Sequence, residues 1–106
     1  MTSTNYLLIK SAILGRLQVV ALCDGHVRGM CPHAVGHRDG REHALLYQFD
    51  GQDARDPPAP GSPDNWRCMP VDALGNITLH AGPWHSCDLD LLPHVCFDEV
   101  DLAIGP

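Results

Sequence analysis

Apolar positions divide the chain into one helical stretch followed by several short strand-like stretches. The pattern predicts a short helix over residues 6–16, with Thr4 or Asn5 as its cap and Gly15 as its stop. The apolar positions that recur there at roughly helical spacing are Leu7, Ile13, Leu14 and Leu17.

Three strands are predicted after this helix, each rich in apolar or β-branched residues. They span Gln18–Cys23, His26–Gly36 and Glu42–Phe49. Asp24-Gly25 and Asp39-Gly40 separate them. Asp-Gly is a strong signal for a two-residue hairpin turn, because both central residues of a type I′ turn need positive φ. The three strands should therefore form an antiparallel meander.

The two turns also predict the register of the strands. In the first hairpin, Cys23 should pair with His26 and Val19 with Met30. In the second hairpin, the same geometry pairs His37 with Glu42 and His33 with Leu46.

The second half of the chain is less regular. Asp50–Asp64 is rich in proline and glycine and is predicted to be a long exposed loop. A strand is expected at Trp66–Pro70, a helical turn at Val71–Leu74 and a strand at Ile77–His80. A last strand, at the edge of the sheet, is predicted within Val95–Ile104.

These elements predict one mainly β domain spanning residues 1–106. About five short antiparallel strands leave exposed edges, and closure into a small barrel removes such edges. The predicted fold is therefore a small antiparallel barrel with a short N-terminal helix.

Charge is unevenly distributed on this acidic chain, whose formal net charge is −6. Residues 1–41 carry five basic and two acidic side chains, whereas residues 42–106 carry two basic and eleven acidic ones. The acidic total argues against non-specific affinity for nucleic acid or anionic membranes. A local basic patch remains compatible with this distribution.

Cysteine usage and the N-terminal sequence indicate a cytoplasmic protein. Five cysteines is an odd number, and their spacing fits no disulfide scaffold, so reduced thiols are expected. No basic residue precedes the first apolar run, so a signal peptide is not expected. No run of eighteen apolar residues exists, so no membrane span is predicted.

Three segments resemble a known family in order and spacing. Val27–Gly36 resembles an arginine-containing strand that ends in a Pro-His or Pro-Tyr element. Ala44–Gln48 follows the Asp-Gly turn, and Trp66–Leu74 resembles the pattern Trp-Arg-x-Phe-Arg-x-Asp-Arg-Ile. Over roughly residues 7–80 the chain is therefore similar to the WYL domain, a small SH3-like or Sm-like barrel of bacterial transcriptional regulators and phage-defence proteins.

The resemblance implies a set of ligand-binding residues. Family arginines are thought to hold a nucleotide or a nucleic-acid backbone, and Arg28 and Arg67 are the two that carry over by position. Pro70 and Ala73 replace two others, and His43-Ala44-Leu45 replaces the Trp-Tyr-Leu motif. The candidate ligand-binding residues are Arg28, Arg67, Tyr47, Trp66 and His33.

The same candidate residues also have ordinary structural interpretations. Tyr47 and Trp66 could stack on bases, or they could belong to the core. Arg28 and Arg67 could contact phosphate, or they could lie on solvated strand faces. His33 belongs to the Pro-His element of the family pattern.

A metal site is the alternative that the histidines and cysteines suggest. Cys31, His33 and His37 share a parity along their strand and should face one way, while His85 and Cys87 have an i, i+2 relation. The same face could equally be a core face, since a buried cysteine behaves as a small hydrophobic residue. No Cys-x2-Cys pair and no glycine-rich phosphate loop occurs.

The chain is accordingly predicted to be a non-enzymatic module with no cofactor and no catalytic residue. Asp98, Glu99 and Asp101 are interpreted as a solvated face. The expected partner is a small anionic ligand or single-stranded nucleic acid, with regulation exerted through a partner protein and no membrane contact. The alternatives are a homodimeric assembly module without a ligand and a zinc-binding Cys/His protein.

Overall fold

The computed structural model describes residues 3–23, 25–51, 66–84 and 96–103. These residues form a mainly β structure with one N-terminal helix, which confirms the predicted fold class. The sheet has six strands instead of about five. The elements are α1 (Thr4–Gly15), β1 (Gln18–Cys23), β2 (His26–Arg38), β3 (Arg41–Gly51), β4 (Trp66–Pro70), a 3-10 turn (Val71–Ala73), β5 (Gly75–His80) and β6 (Glu99–Ala103).

Helix α1 begins at Thr4, two residues before its predicted start. Ser3 is the N-cap, and its hydroxyl accepts a hydrogen bond from the backbone N–H of Tyr6 at 3.1 Å. The helix ends at Gly15, and its C-cap is Arg16, which adopts the left-handed conformation with φ 52°. Arg16 therefore occupies a left-handed position where glycine is usual.

The antiparallel sheet is organised around β2. The strand order is β4-β3-β2-β1-β5, and β6 also pairs with β2. The first half of β2 pairs with β1, and its second half pairs with β6 along the part of the same edge that β1 does not reach. The opposite edge of β2 pairs with β3 along most of its length. This arrangement is consistent with a small barrel-like fold.

The hairpin turns set most of the register as predicted. Cys23 pairs with His26, Val19 with Met30, and His37 with Glu42. At the second turn, Asp39 has φ 51° and Gly40 has φ 79°, the positive values that a type I′ turn requires.

The predicted pairing of His33 with Leu46 is wrong, because β2 contains a bulge. Pro32 pairs with Leu46 and Ala34 pairs with Leu45, so His33 is the extra residue. Proline has no N–H to donate to a sheet and is tolerated at bulges. The extra residue reverses the facing of the rest of β2, so Cys31 and His37 do not share a face.

Two cores lie on opposite faces of the sheet. Helix α1 covers the larger core, which includes Ile9, Met30 and Leu46. The smaller core consists of Ala34, Leu45, Cys96 and Phe97, with Trp66 packed against it. Both faces at the centre of the sheet are therefore covered, which explains why β2 is continuously buried from Arg28 to Gly36.

A disulfide bond joins the smaller core to β4, contrary to the expectation of reduced thiols. Cys68 and Cys96 are bonded, with their Cα atoms 5.7 Å apart. An odd number of cysteines does not exclude one bridge, and these two are 28 residues apart in sequence, so spacing gave no signal. Cys23 and Cys31 are buried thiols.

Two predicted segments are corrected or only partly described. Strand β6 is shorter than the predicted range Val95–Ile104, whose first and last residues lie outside the described part of the chain. Asp50 and Gly51 belong to β3, not to the predicted proline-rich loop. The rest of that loop, residues 52–65, also lies outside the described residues.

Gly36 lies directly against β6 and leaves no room for a side chain. A Cβ atom built on Gly36 would lie 2.1 Å from the Glu99 carbonyl oxygen and 3.0 Å from the Phe97 ring. We expect Gly36→Ala to lower the free energy of unfolding by about 2 kcal/mol or more, because backbone cannot move aside as a flexible side chain can. Urea unfolding followed by circular dichroism measures this change.

Gly75→Ala is the matched control for this strand glycine. A Cβ atom on Gly75 would meet Leu22 at an ordinary 3.6 Å. This variant should unfold at nearly the same urea concentration as the parent protein. Equal stabilities for the two variants would show that β6 does not pack against Gly36 as described.

Candidate functional site

Four aromatic rings meet on the sheet face opposite helix α1. The His33 ring centroid lies 4.8 Å from that of Trp66 and 5.1 Å from that of Trp84. Trp66 also contacts Tyr47, with centroids 4.9 Å apart and ring planes at 77°. We call these four residues the aromatic cluster. Tilted and edge-to-face contacts of this kind stabilise a cluster by about 0.5–1.5 kcal/mol per pair.

Each ring is positioned by a different element of the sheet. Tyr47 and Trp66 are direct partners across β3 and β4, so their side chains share a face. His33 is the bulged residue of β2, and Trp84 follows β5. The cluster thus depends on the bulge and on the strand order, neither of which is a local sequence property.

The cluster has a buried floor and a partly exposed rim. Tyr47 and His33 are each 2% exposed, whereas Trp66 and Trp84 are half-buried. The two tryptophan rings therefore offer apolar surface to a flat molecule. Trp66 is supported from the other side by the smaller core.

The buried imidazole of His33 is held in one orientation. Its Nδ1 lies 2.8 Å from the Cys31 carbonyl oxygen, which accepts a hydrogen bond from the N–H at that position. Burial lowers the pKa of His33 below its usual value, and the positive charge of Arg16 lowers it further. His33 is therefore neutral at neutral pH, and Nε2 carries the lone pair.

Arg16 is a cation whose charge acts on the cluster through His33, and sequence reasoning missed it. Its side chain is exposed, and its charge acts on His33. Two residues later, the Gln18 side-chain amide donates a hydrogen bond to the Pro83 carbonyl oxygen at 2.7 Å. This bond ties the start of β1 to the residue before Trp84. The pairing of β1 with β5 creates this proximity, so no local pattern could reveal it.

The predicted ligand set does not form one site. Arg28 pairs with Ala21, and Arg67 pairs with Leu46. Both partners belong to the core under helix α1, so both arginines are placed on that face. The set is therefore split, with His33, Tyr47 and Trp66 together on the opposite face.

The two arginines are also distant from each other. They lie on strands separated by β3 and are offset by about four residues along it, which corresponds to roughly 15 Å. Arg28 is 8% exposed. Arg67 donates a hydrogen bond to the Trp66 carbonyl oxygen at 3.0 Å. The two arginines are therefore not neighbours on this face of the sheet.

The alternative metal ligands do not converge within the described part of the chain. No group of three His, Cys, Asp or Glu side chains in residues 3–23, 25–51, 66–84 and 96–103 is arranged to hold a metal ion. His37 lies on the face of helix α1, where its Nδ1 is 3.0 Å from Asp101 Oδ2. His85 and Cys87 lie outside the described residues.

The acidic residues Asp98, Glu99 and Asp101 are exposed, as predicted, and two of them also form specific contacts. Asp101 accepts a hydrogen bond from the Tyr6 hydroxyl and contacts His37. Burial raises the pKa of Tyr6 above its usual range, and Asp101 raises it further. Asp98 accepts a hydrogen bond from the Asp39 backbone N–H at 2.8 Å. These contacts fasten β6 to the sheet.

An open cavity of about 210 Å³ lies at the second hairpin turn. Gly40, Arg41, Glu42 and Asp72 line it, and Arg41 bridges Asp72 at 2.9 Å. Both charged side chains are more than half exposed. Exposed pairs of this kind contribute little to stability, and the cavity offers no apolar surface comparable to the aromatic cluster.

No protein-family model matches this chain, and no curated protein or solved structure shows significant similarity to it. The similarity to the WYL domain therefore stays a prediction from its motifs. Among the described residues, no helix has the length and apolar character required to cross a membrane.

The lowered pKa of His33 predicts a pH-dependent stability. The unfolded chain binds a proton at His33 near pH 6.5, whereas the folded chain does so only at lower pH. The free energy of unfolding should therefore fall as the pH drops below about 6.5. His33→Gln should weaken this dependence, which urea unfolding at neutral and mildly acidic pH measures.

His43→Gln is the matched control. His43 also places Nδ1 against the carbonyl oxygen two residues earlier, at 3.1 Å from Arg41, but it is only half-buried. This variant should keep the pH dependence of the parent protein. If the free energy of unfolding falls by the same amount on acidification in His33→Gln and in the parent, the conclusion that His33 is buried in its neutral form is wrong.

Proposed function

We propose that this chain is a non-catalytic binding module that takes a flat anionic ligand, a nucleotide or a short single-stranded nucleic acid, at the aromatic cluster. The observation that supports it is the pair of half-buried tryptophan rings around His33, a residue on which the charge of the exposed Arg16 acts. Stacking a base on an aromatic ring contributes about 1–3 kcal/mol. A guanidinium group binds phosphate through two parallel hydrogen bonds.

This proposal keeps the WYL-like role of a ligand sensor but changes the anion contact. Arg28 is 8% exposed on the sheet face that carries helix α1, so the proposed contact is Arg16. A regulatory action through a partner protein and a cytoplasmic location belong to the same proposal. Both rest on the family resemblance and on the sequence composition.

The net charge of −6 limits which ligands can bind. The acidic second half of the chain repels a polyanion, whereas one or two nucleotides would interact mainly with the site itself. We therefore expect short ligands to bind in preference to long ones. Binding should also depend on salt, because a phosphate contact releases counterions.

Intrinsic fluorescence reports on this site directly, because Trp66 and Trp84 are the two tryptophans of the chain. We expect a short single-stranded oligothymidylate to quench the emission in a saturable manner, with an affinity that decreases from low to moderate salt. Absence of quenching at low salt would refute the nucleic-acid form of the proposal, and nucleoside monophosphates would then test the nucleotide form.

Charge variants test the role of Arg16. Arg16→Asn removes the charge, and asparagine tolerates the left-handed backbone at this position. We expect a roughly tenfold loss of affinity, as for loss of one charged hydrogen-bonding contact. Arg41→Gln removes the same charge at the second hairpin turn and should bind as the parent does. Equal losses in both variants would assign the effect to net charge instead of to Arg16.

A second candidate function is homodimeric assembly, which the solvent face of helix α1 favours. Leu7 is 54% exposed and Leu14 is 74% exposed, and the two lie on one side of the helix, two turns apart. Sedimentation equilibrium should show a dimer that Leu14→Gln converts to a monomer. A monomeric parent protein at high concentration would eliminate this candidate.

A further inference from the structure

The segment of residues 96–103 supports one wall of the aromatic cluster. Cys96 and Phe97 pack with Ala34 and Leu45 in the smaller core, and Trp66 packs against the same group. Removing the segment would expose this core and leave Trp66 without its support. The position of the segment is therefore linked to the shape of the candidate site.

Among the described residues, backbone pairing and polar contacts hold this segment in place, with few buried apolar side chains. Cys96 and Phe97 are its two buried residues, and Leu102 is half-buried. Strand β6 is five residues long and pairs only with β2 among the described strands. Asp98 N–H donates to the His37 carbonyl oxygen at 2.9 Å, and Val100 is 45% exposed. Such short edge elements belong to the least stable parts of a fold.

The disulfide bond is the one covalent link between this segment and β4 in the described structure. Cys96 lies in the smaller core, whereas Cys68 of β4 is exposed, so a reductant can reach the bridge from that residue. Cys68 is two residues from Trp66 on the same strand, so both side chains share a face. Breaking the disulfide therefore changes the structure next to the Trp66 ring of the candidate site.

We infer that the Cys68–Cys96 disulfide is a redox latch that keeps residues 96–103 on the sheet and Trp66 in its supported position. A dithiol reductant opens it: the S–S bond breaks, each cysteine sulfur gains one electron and one proton, and the dithiol forms its own disulfide. The released segment then leaves the smaller core. In a cytoplasm, where thiols are kept reduced, persistent disulfides are rare and redox-sensing ones occur.

Hydrogen exchange and tryptophan emission test the latch without any ligand. The full chain is compared before and after dithiothreitol treatment, and mass spectrometry verifies the reduction. We expect the amides of residues 99–103 to exchange about tenfold faster or more after reduction, while those in the middle of helix α1 do not change. Tryptophan emission should shift to longer wavelength as Trp66 becomes more solvated.

Two cysteine variants distinguish the bridge from general effects of the reductant. Cys68→Ala should behave like the reduced parent protein and should not respond to dithiothreitol. Cys23→Ala changes a buried thiol outside the bridge and should respond as the parent does. Gly36→Ala is a second way to release β6 from the sheet, because the added methyl group should displace β6 while the disulfide stays intact. Unchanged exchange of residues 99–103 and unchanged emission after verified reduction would overturn the latch.

The effect on binding rests on the proposed function. We expect the reduced protein to bind the oligothymidylate roughly tenfold more weakly, within the range of couplings between distinct sites. Release of the segment with equal affinity in both forms would overturn the link to the aromatic cluster. If neither form binds, the proposed function is wrong, whereas hydrogen exchange and emission still decide whether the latch exists.

Discussion

Strand β2 is the element on which the rest of the structure depends, because three other strands pair with it. Its first half pairs with β1, its second half with β6, and its other edge with β3. Along the 13 residues of this strand, the facing of the side chains changes. The bulge at His33 produces this change, since an extra residue reverses which face the following side chains occupy. Met30 and Val35, an odd number of positions apart, therefore both reach the core under helix α1.

The bulge also explains the buried histidine in the aromatic cluster. A polar ring is unfavourable in an apolar environment unless it forms hydrogen bonds. The Cys31 carbonyl oxygen accepts one from His33 Nδ1, and burial keeps the ring neutral. A neutral imidazole packs edge-on against Trp66 without the cost of an unpaired buried charge. The geometry of β2 thus determines both the position and the protonation state of the residue at the centre of the cluster.

Local signals in the sequence were sufficient for part of the fold. The bounds of β1 and β4 and the register around Asp39-Gly40 were predicted correctly, because turn chemistry and alternation are properties of neighbouring residues. The register at His33 was wrong because a bulge is specified by contacts on both sides of the strand. The Cys68–Cys96 bridge and the position of Arg16 depend on pairs distant in sequence, which a single sequence does not indicate. Of the predicted ligand set, the structure brings together the three aromatic members, and the arginines lie on the opposite face.

The candidate site and the C-terminal segment are connected through the same strand. His33 contacts Trp66 and Trp84, and four residues later His37 pairs with Glu99 of β6 and contacts Asp101. The segment is attached to β2 mainly by backbone pairing and polar contacts, and to β4 by one covalent bond. Polar contacts and a disulfide respond to solution conditions more than buried apolar area does. Acidic side chains on an exposed edge strand also discourage pairing with other chains. The acidic residues of β6 should therefore limit aggregation even when β6 is detached from the sheet.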